Sequence, residues 1–337
     1  MDSILVLAPV EADGTLSKPA LEAVTAAVNL SKSLGTKFSV GLWGADVKKA
    51  ADSLASSGAG KVYAVAGAAF AEARFAPDAA AAAALVKQSG ASLVLAPSVA
   101  RVARVAGALA QRLGGAVDTH VTELSGEGGK VSITRWFYRQ RLTGVLSRAA
   151  RPWVLTLDPG TQVPFAGASG SSAVEAVACE APASKTKVTG LRAPSGGTQT
   201  IRPDADLLFV AGAGWCKKQA DGSPHVSEAE KLIGGFLAKS QASLGGSKSM
   251  VDQSGEGQTL TFMSHMNQIG QTGATPRHPK GLATCCHGEE PHVVGWRFVT
   301  ERRAVNLNAS CGWAQGKADV LYVADAFKVV EELNKLI

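Results

Sequence analysis

The sequence predicts an α/β protein in two domains, the first a βα domain with a mostly parallel sheet and extra strands. Three observations predict it. The chain has 337 residues, enough for about two domains at ~150 residues each. It is 46% apolar but only 6% aromatic, with 37 glycines, which suits close-packed α/β layers better than an aromatic-rich sandwich. Short apolar runs also alternate with helical periodicity through the first half.

The elements follow in order. Ile4 to Ala8 is a continuous apolar run, as a strand buried on both faces requires. Apolar residues recur at helical spacing from Lys18 to Leu34, and Gly35 follows where a helix stops. Phe38 to Trp43 reads as a strand, Asp46 to Ser57 as a helix and Lys61 to Ala66 as a strand. Pro77 opens an alanine-rich helix that ends near Gly90, since a proline in the first turn removes an N–H that has no helical partner. Ser92 to Ala96 is a fourth strand, followed by a helix from Ala100 to Leu113. Repeated βα units imply parallel strands and right-handed crossovers.

From Val117 to Thr156 the pattern changes to consecutive strands: Val121–Leu124, Val131–Tyr138, Leu142–Leu146 and Trp153–Leu157. A Gly-rich turn at Gly126–Gly129 separates the first two. The stretch Gly160–Thr200, rich in Gly, Ser, Ala, Pro and Thr, reads as the interdomain crossing. Domain limits are placed at 1–185 and 204–337, with 186–203 as the linker. In the second domain, strand Ala205–Val210 runs into the tight turn Gly212-Ala213-Gly214, and Val226–Ser240 is helical. Leu282–Cys285, Arg303–Leu307 and Val320–Ala324 are short strands. Ala326–Leu336 closes the chain as an amphipathic helix with Phe327, Val330 and Leu333 on one face.

Charge and cysteine usage exclude several classes. The 34 basic and 28 acidic residues leave +6, too modest over this length to imply nucleic acid or a membrane surface. The acidic N-terminus lacks the signature of a targeting peptide, and no run reaches the roughly 18 apolar residues of a membrane span. Five irregularly spaced cysteines suggest a reduced, cytoplasmic setting without a disulfide framework.

Chemistry has few places to reside. Gly212-x-Gly214 after a strand lets backbone N–H groups approach phosphate, but Lys217 stands where a third glycine would complete the dinucleotide fingerprint. An ordinary βα turn explains it as well. Gly270-Gln271-Thr272-Gly273 offers close backbone approach, an amide and a hydroxyl, and is otherwise a polar turn. Cys285-Cys286-His287 with His292 evokes zinc, but adjacent cysteines chelate one ion poorly, so no metal site is expected. His292 suits donation to a bound ligand better. Five arginines between Arg135 and Arg151, interleaved with Trp136, Phe137 and Tyr138, form a solvated basic face or a protein contact surface rather than a nucleic-acid site. No acid–base machinery is evident, as expected where a cofactor carries the chemistry.

The second half resembles the alpha subunit of electron transfer flavoprotein, in family order. Leu244-Gly245-Gly246-Ser247-Lys248-Ser249-Met250-Val251-Asp252 resembles VGASRAAVD, and Gln268 to Gly273 resembles VGQTG. Gly288 to His292 stands where the family has GAIQH, Ala304 to Asn308 resembles AINKD, and Asp319 with Val323 to Val330 resembles ADYG…VADLFKVV. The N-terminal half matches in layout, but Phe137-Tyr138-Arg139-Gln140-Arg141 replaces IYAGN. The resemblance implies a Rossmann-like, doubly wound second domain that holds FAD. It further implies an electron carrier rather than an enzyme with its own turnover. The partner would be a beta subunit in a heterodimer, the donor a flavin dehydrogenase and the acceptor a membrane quinone oxidoreductase. By matching position, Ser247 and Lys248 would lie near the flavin ring and Thr272 near its N5, with Ile269, Gly270 and Gln271 along the same loop. His292 would face the pyrimidine end and Asn306 and Asp319 the adenosine end, with His287 and Gly288 also among the cofactor-binding residues. A diverged, non-redox nucleotide-binding interaction subunit is the alternative reading.

Three departures stand out. Lys248 replaces an arginine, keeping the charge but losing the planar fork. Gly214 falls where another family arginine stands, and Lys217 can supply its charge. Cys285-Cys286-His287 replaces a VGIS-type segment.

Overall fold

The computed structural model describes residues 2–138, 142–190, 201–202, 205–252, 260–269, 278–285, 299–310 and 318–337, with the backbone alone at Lys248 and Cys285. The chain divides into two compact units, Met1–Arg192 and Ala193–Ile337. Both are α/β.

The first unit is built on a nine-stranded sheet. Its strands are β1 (Ile4–Pro9), β2 (Phe38–Gly44), β3 (Val62–Ala66), β4 (Leu93–Pro97), β5 (Ala116–Glu127), β6 (Lys130–Phe137), β7 (Leu142–Leu146), β8 (Trp153–Leu157) and β9 (Val174–Ala176). Their order is β7-β6-β5-β8-β4-β1-β2-β3-β9, with antiparallel pairing only at β5–β6 and β6–β7. β1, β4 and β8 are buried along their whole length, which is why they read as unbroken apolar runs. Helices α1 (Lys18–Leu34) and α2 (Lys48–Ser53) cover one face, and α3 (Phe75–Ser89) and α4 (Ala100–Arg112) the other. α1 stops at Gly35, whose φ of 63° lets its N–H reach the carbonyls of Ser31 and Lys32.

Three expectations are corrected here. The helix read over Asp46–Ser57 is shorter, Lys48–Ser53, because Leu54 leaves helical geometry and Gly58 turns the chain at φ 80°. Pro77 does not open α3 but lies inside its first turn, where helical N–H groups lack partners anyway. The stretch Gly160–Thr200 is not wholly an interdomain crossing. Phe165 N–H donates to Leu21, Gly170 N–H to Asp52, and Val174–Ala176 pairs in parallel with β3. Side chains fix that last strand: the Glu175 carboxylate accepts from Lys61 Nζ and Gln88 Nε2, each at 3.0 Å.

The second unit carries a wholly parallel five-stranded sheet, ordered β11-β10-β12-β13-β14. The strands are β10 (Leu207–Ala211), β11 (Ser243–Gly246), β12 (Lys280–Cys285), β13 (Glu301–Asn306) and β14 (Val320–Val323). α5 (Val226–Ser240), α6 (Lys248–Asp252) and α7 (Ala326–Leu336) contribute to one apolar cluster with Phe209, Trp215 and Val305. Leu208, Val210, Ile269, Ala283, Val299 and Ala304 form a second cluster on the opposite face. β11 carries two glycines, and a Cβ at Gly245 would stand 2.0 Å from Ile269 Cδ1. The bare backbone therefore admits the isoleucine.

Candidate functional site

In an open parallel sheet the ligand crevice lies beyond the C-terminal strand ends, where the strand order reverses. In the second sheet that point falls between β10 and β12. Gly212, just past β10, donates its N–H to the Thr284 carbonyl at 2.8 Å. The Ala213–Cys216 turn then buries Trp215 completely. Trp215 packs on Phe327 with ring centroids 4.6 Å apart. Its indole N–H donates to Thr284 Oγ1, which donates in turn to the Val210 carbonyl. The Gly212-x-Gly214 segment is thus a tight turn anchored on the neighbouring strand.

Ser247 follows β11 directly and is 1% exposed. Its Oγ accepts from Met250 N–H at 3.2 Å, so it caps α6 and its own O–H remains to be donated. Ile269 lies beside it: its N–H donates to the Gly246 carbonyl at 3.0 Å and its side chain is fully buried. Asn306 ends β13 and is 1% exposed. Its Oδ1 accepts from Asn308 N–H, while its Nδ2 has no hydrogen-bond partner among the described residues. A buried amide donor left open is costly, ~1–3 kcal/mol. Such a group is what a ligand acceptor would complete.

Asp319 is not brought to this edge. It precedes β14 at the N-terminal edge of the sheet, where its carboxylate accepts from the Arg302 N–H at 2.6 Å and from the Arg302 guanidinium at 2.9 Å. The Arg302 hydrogen bonds hold its carboxyl below the ordinary aspartate range. Asp325, which follows β14, is the acid that the described residues set at its C-terminal end. Its Oδ1 accepts from Phe327 N–H at 2.9 Å and caps α7. Ala324 N–H donates to the Asn306 carbonyl, which sets Asp325 beside Asn306 in the chain weave. Motif order singles out Asp319 because Asp flanks this strand on both sides. An aspartate immediately before an amphipathic helix is the signal that marks Asp325.

Gly270, Gln271, Thr272, His287, Gly288 and His292 lie outside the described residues, as does the Cys286-His287 pair. Lys248 opens α6, next to Ser247. Among the described residues no group of three His, Cys, Asp or Glu side chains could hold a metal. Cys216 is buried, which pushes its thiol pKa up, and its Sγ meets Met250 Sδ at 3.8 Å.

The arginine-rich stretch of the first unit is less free than its composition suggests. Asp118, 1% exposed, accepts from Arg135, Arg148 and the Trp153 indole. Burial alone would raise its pKa, but these hydrogen bonds outweigh it and hold the carboxyl low. Arg151 forms a fork on Asp2 at 2.6 and 2.7 Å. These arginines are therefore tied to acids distant in sequence. Large apolar side chains are also open nearby: Tyr138, Leu142 and Val145 are 75%, 56% and 75% exposed.

A βα sheet carrying an antiparallel extension, followed along the chain by a wholly parallel sheet whose strand order reverses between β10 and β12, defines a two-unit α/β protein with the layout of a ligand-binding fold. The comparisons narrow this class. A model of the electron transfer flavoprotein domain matches residues 4–184. The chain is 26% identical over 322 residues to the electron transfer flavoprotein subunit alpha of Syntrophomonas wolfei subsp. wolfei (strain DSM 2245B / Goettingen), covering 95% of each. The chain belongs to the electron transfer flavoprotein family. Among the described residues no helix is long and apolar enough to cross a membrane.

Proposed function

We propose that this chain is the alpha-type subunit of an electron transfer flavoprotein and that its second unit holds FAD. The observation that carries the reading is the buried Nδ2 of Asn306, without a partner among the described residues, at the C-terminal end of β13, the strand next to the one that borders the crevice. A bound flavin would supply the reversible uptake and release of electrons.

The chain's own part is to bind, orient and tune. Ser247 presents a hydroxyl at the head of α6, where helix-end N–H groups favour negative charge. Lys248 carries a positive charge in the same turn. Asn306 donates through Nδ2, and Asp325 accepts beside it, a pair suited to ribose hydroxyls and adenine. Asp319 is left to its role with Arg302. Ile269, Gly270, Gln271, Thr272, His287, Gly288 and His292 are assigned to the flavin on motif position.

The partner in this reading is a beta subunit forming a heterodimer, the donor a flavin dehydrogenase and the acceptor a quinone-linked oxidoreductase. The exposed Tyr138, Leu142 and Val145 support a protein contact on the first unit. The test is the absorbance spectrum of the chain co-purified with its beta subunit. One FAD per heterodimer, bleached by a reductant and restored by an oxidant, is the expected result. A colourless complex that still binds adenine nucleotide would favour the non-redox alternative.

A further inference from the structure

A groove of about 630 Å³ opens on the α5–α7 face of the second sheet. Its lining is almost wholly apolar, with Leu207, Phe236, Leu282, Val305, Val329 and Leu333 as its main surfaces. The volume lies within the range of small-molecule sites, about 300–1,000 Å³. The rim is at the N-terminal strand ends, where Lys280 and Glu301 begin β12 and β13. The groove runs on along this face to Val305 and Ala324, next in sequence to Asn306 and Asp325, so it is the Lys280–Glu301 rim that lies at the other end of the strands from Ser247, Asn306 and Asp325.

The charges on the rim do not balance evenly. Lys280 and Glu301 stand directly opposite in register and offset one another across adjacent strands. Arg303, two residues on, has no carboxylate partner among the described residues. One guanidinium N–H donates to the Tyr322 hydroxyl at 2.8 Å. Because that hydroxyl accepts from Arg303, its own O–H is left to donate. A guanidinium and a phenol O–H beside each other form a donor set for an anion, at the mouth of an apolar groove.

We propose that this groove binds a single-chain amphiphile with an anionic head, the apolar tail in the groove and the carboxylate on Arg303 and Tyr322. A cationic amphiphile would meet the guanidinium unfavourably. A polar nucleotide would leave its hydrogen-bonding groups against Leu282 and Val305. The proposal does not depend on the flavin assignment.

The experiment uses the full chain, with and without its beta subunit, and isothermal titration with dodecanoate below its micellar concentration. Dodecanol and dodecyltrimethylammonium are the comparison probes. Dodecanoate should bind saturably, at least tenfold more tightly than dodecanol, and the cation should not bind. Arg303→Met, on the exposed rim, should remove that tenfold preference while dodecanol binding stays unchanged. Val329→Trp, which fills the groove, should abolish binding of both. The proposal is overturned by the absence of saturable dodecanoate binding to the wild-type chain. Equal affinity for dodecanoate and dodecanol, or dodecanoate binding that survives Val329→Trp in a folded protein, would overturn it as well.

Discussion

Asp319 and Asp325 stand at opposite ends of strand β14, the first locked to Arg302 and the second capping α7 next to Asn306. The same residue type thus serves two unrelated ends of one short strand. Asp325→Ala should weaken FAD retention and also cost about 1 kcal/mol of stability through the lost cap. Asp319→Ala should leave FAD retention unchanged and cost little stability, as for an exposed ion pair screened by solvent. Flavin fluorescence titration and thermal unfolding of both variants check this. Loss of FAD in the Asp319 variant alone would reverse the assignment.

Asn306 gives a prediction that separates ligand from scaffold. If its Nδ2 is completed by the cofactor, Asn306→Ala should destabilise the flavin-loaded protein more than the flavin-free one, by ~1 kcal/mol or more. Melting temperatures with and without added FAD measure the difference. Equal losses in the two states would make Asn306 a structural residue only.

The Asp118 cluster should show in the acid limb of stability. Its folded pKa is depressed, so its contribution is fully present above the unfolded value near 3.8 and is lost as pH falls through the lower folded value. Asp118→Asn should flatten the decline of unfolding free energy below about pH 4. Asp118→Ala, which strands Arg135, should cost about 3 kcal/mol at neutral pH. Urea titrations across the pH range test both.

Gly245 and Ile269 should behave as a coupled pair. Gly245→Ala drives a methyl into Ile269 Cδ1 and should cost ~1–3 kcal/mol by overpacking. Combining it with Ile269→Val, which removes the clashing atom, should recover part of that loss. A double-mutant cycle with no coupling would show that the backbone yields instead.

His225 lies between Glu228 and Asp221, with ring nitrogens 2.9 and 2.8 Å from their carboxylates. Hydrogen bonds to Glu228 and then Asp221 raise its pKa above the ordinary value. Its contribution is therefore present below the unfolded pKa and fades as pH rises through the folded one. An NMR titration should place the His225 midpoint above that of an exposed histidine, and Asp221→Asn with Glu228→Gln should bring it down.

The strands β1, β4 and β8 were legible because burial on both faces leaves a continuous apolar run. β11 was not, since Gly245 and Gly246 have low strand propensity and the strand depends on Ile269 filling the space above it. β9 was hidden for a related reason: its pairing rests on Lys61 and Gln88, more than eighty residues away in sequence. Motif order names Ser247 and Asn306, which the structure sets at the C-terminal ends of β11 and β13, but it picks Asp319 over Asp325, whose own mark is its place directly before an amphipathic helix. The bound arginines were misread because Asp118 and Asp2, their partners, lie outside the basic stretch.

The path from β8 to β9 bears on how the molecule is made. The chain leaves β8, runs past Leu21 of α1 and Asp52 of α2, and pairs with β3 at the far side of the sheet. During synthesis β3 is therefore complete long before its last neighbour emerges, and its open edge is exposed to other nascent chains. Pulse-labelled hydrogen exchange should find β9 protected last in refolding. Chains released before Val174 should aggregate more than chains released just after Val177.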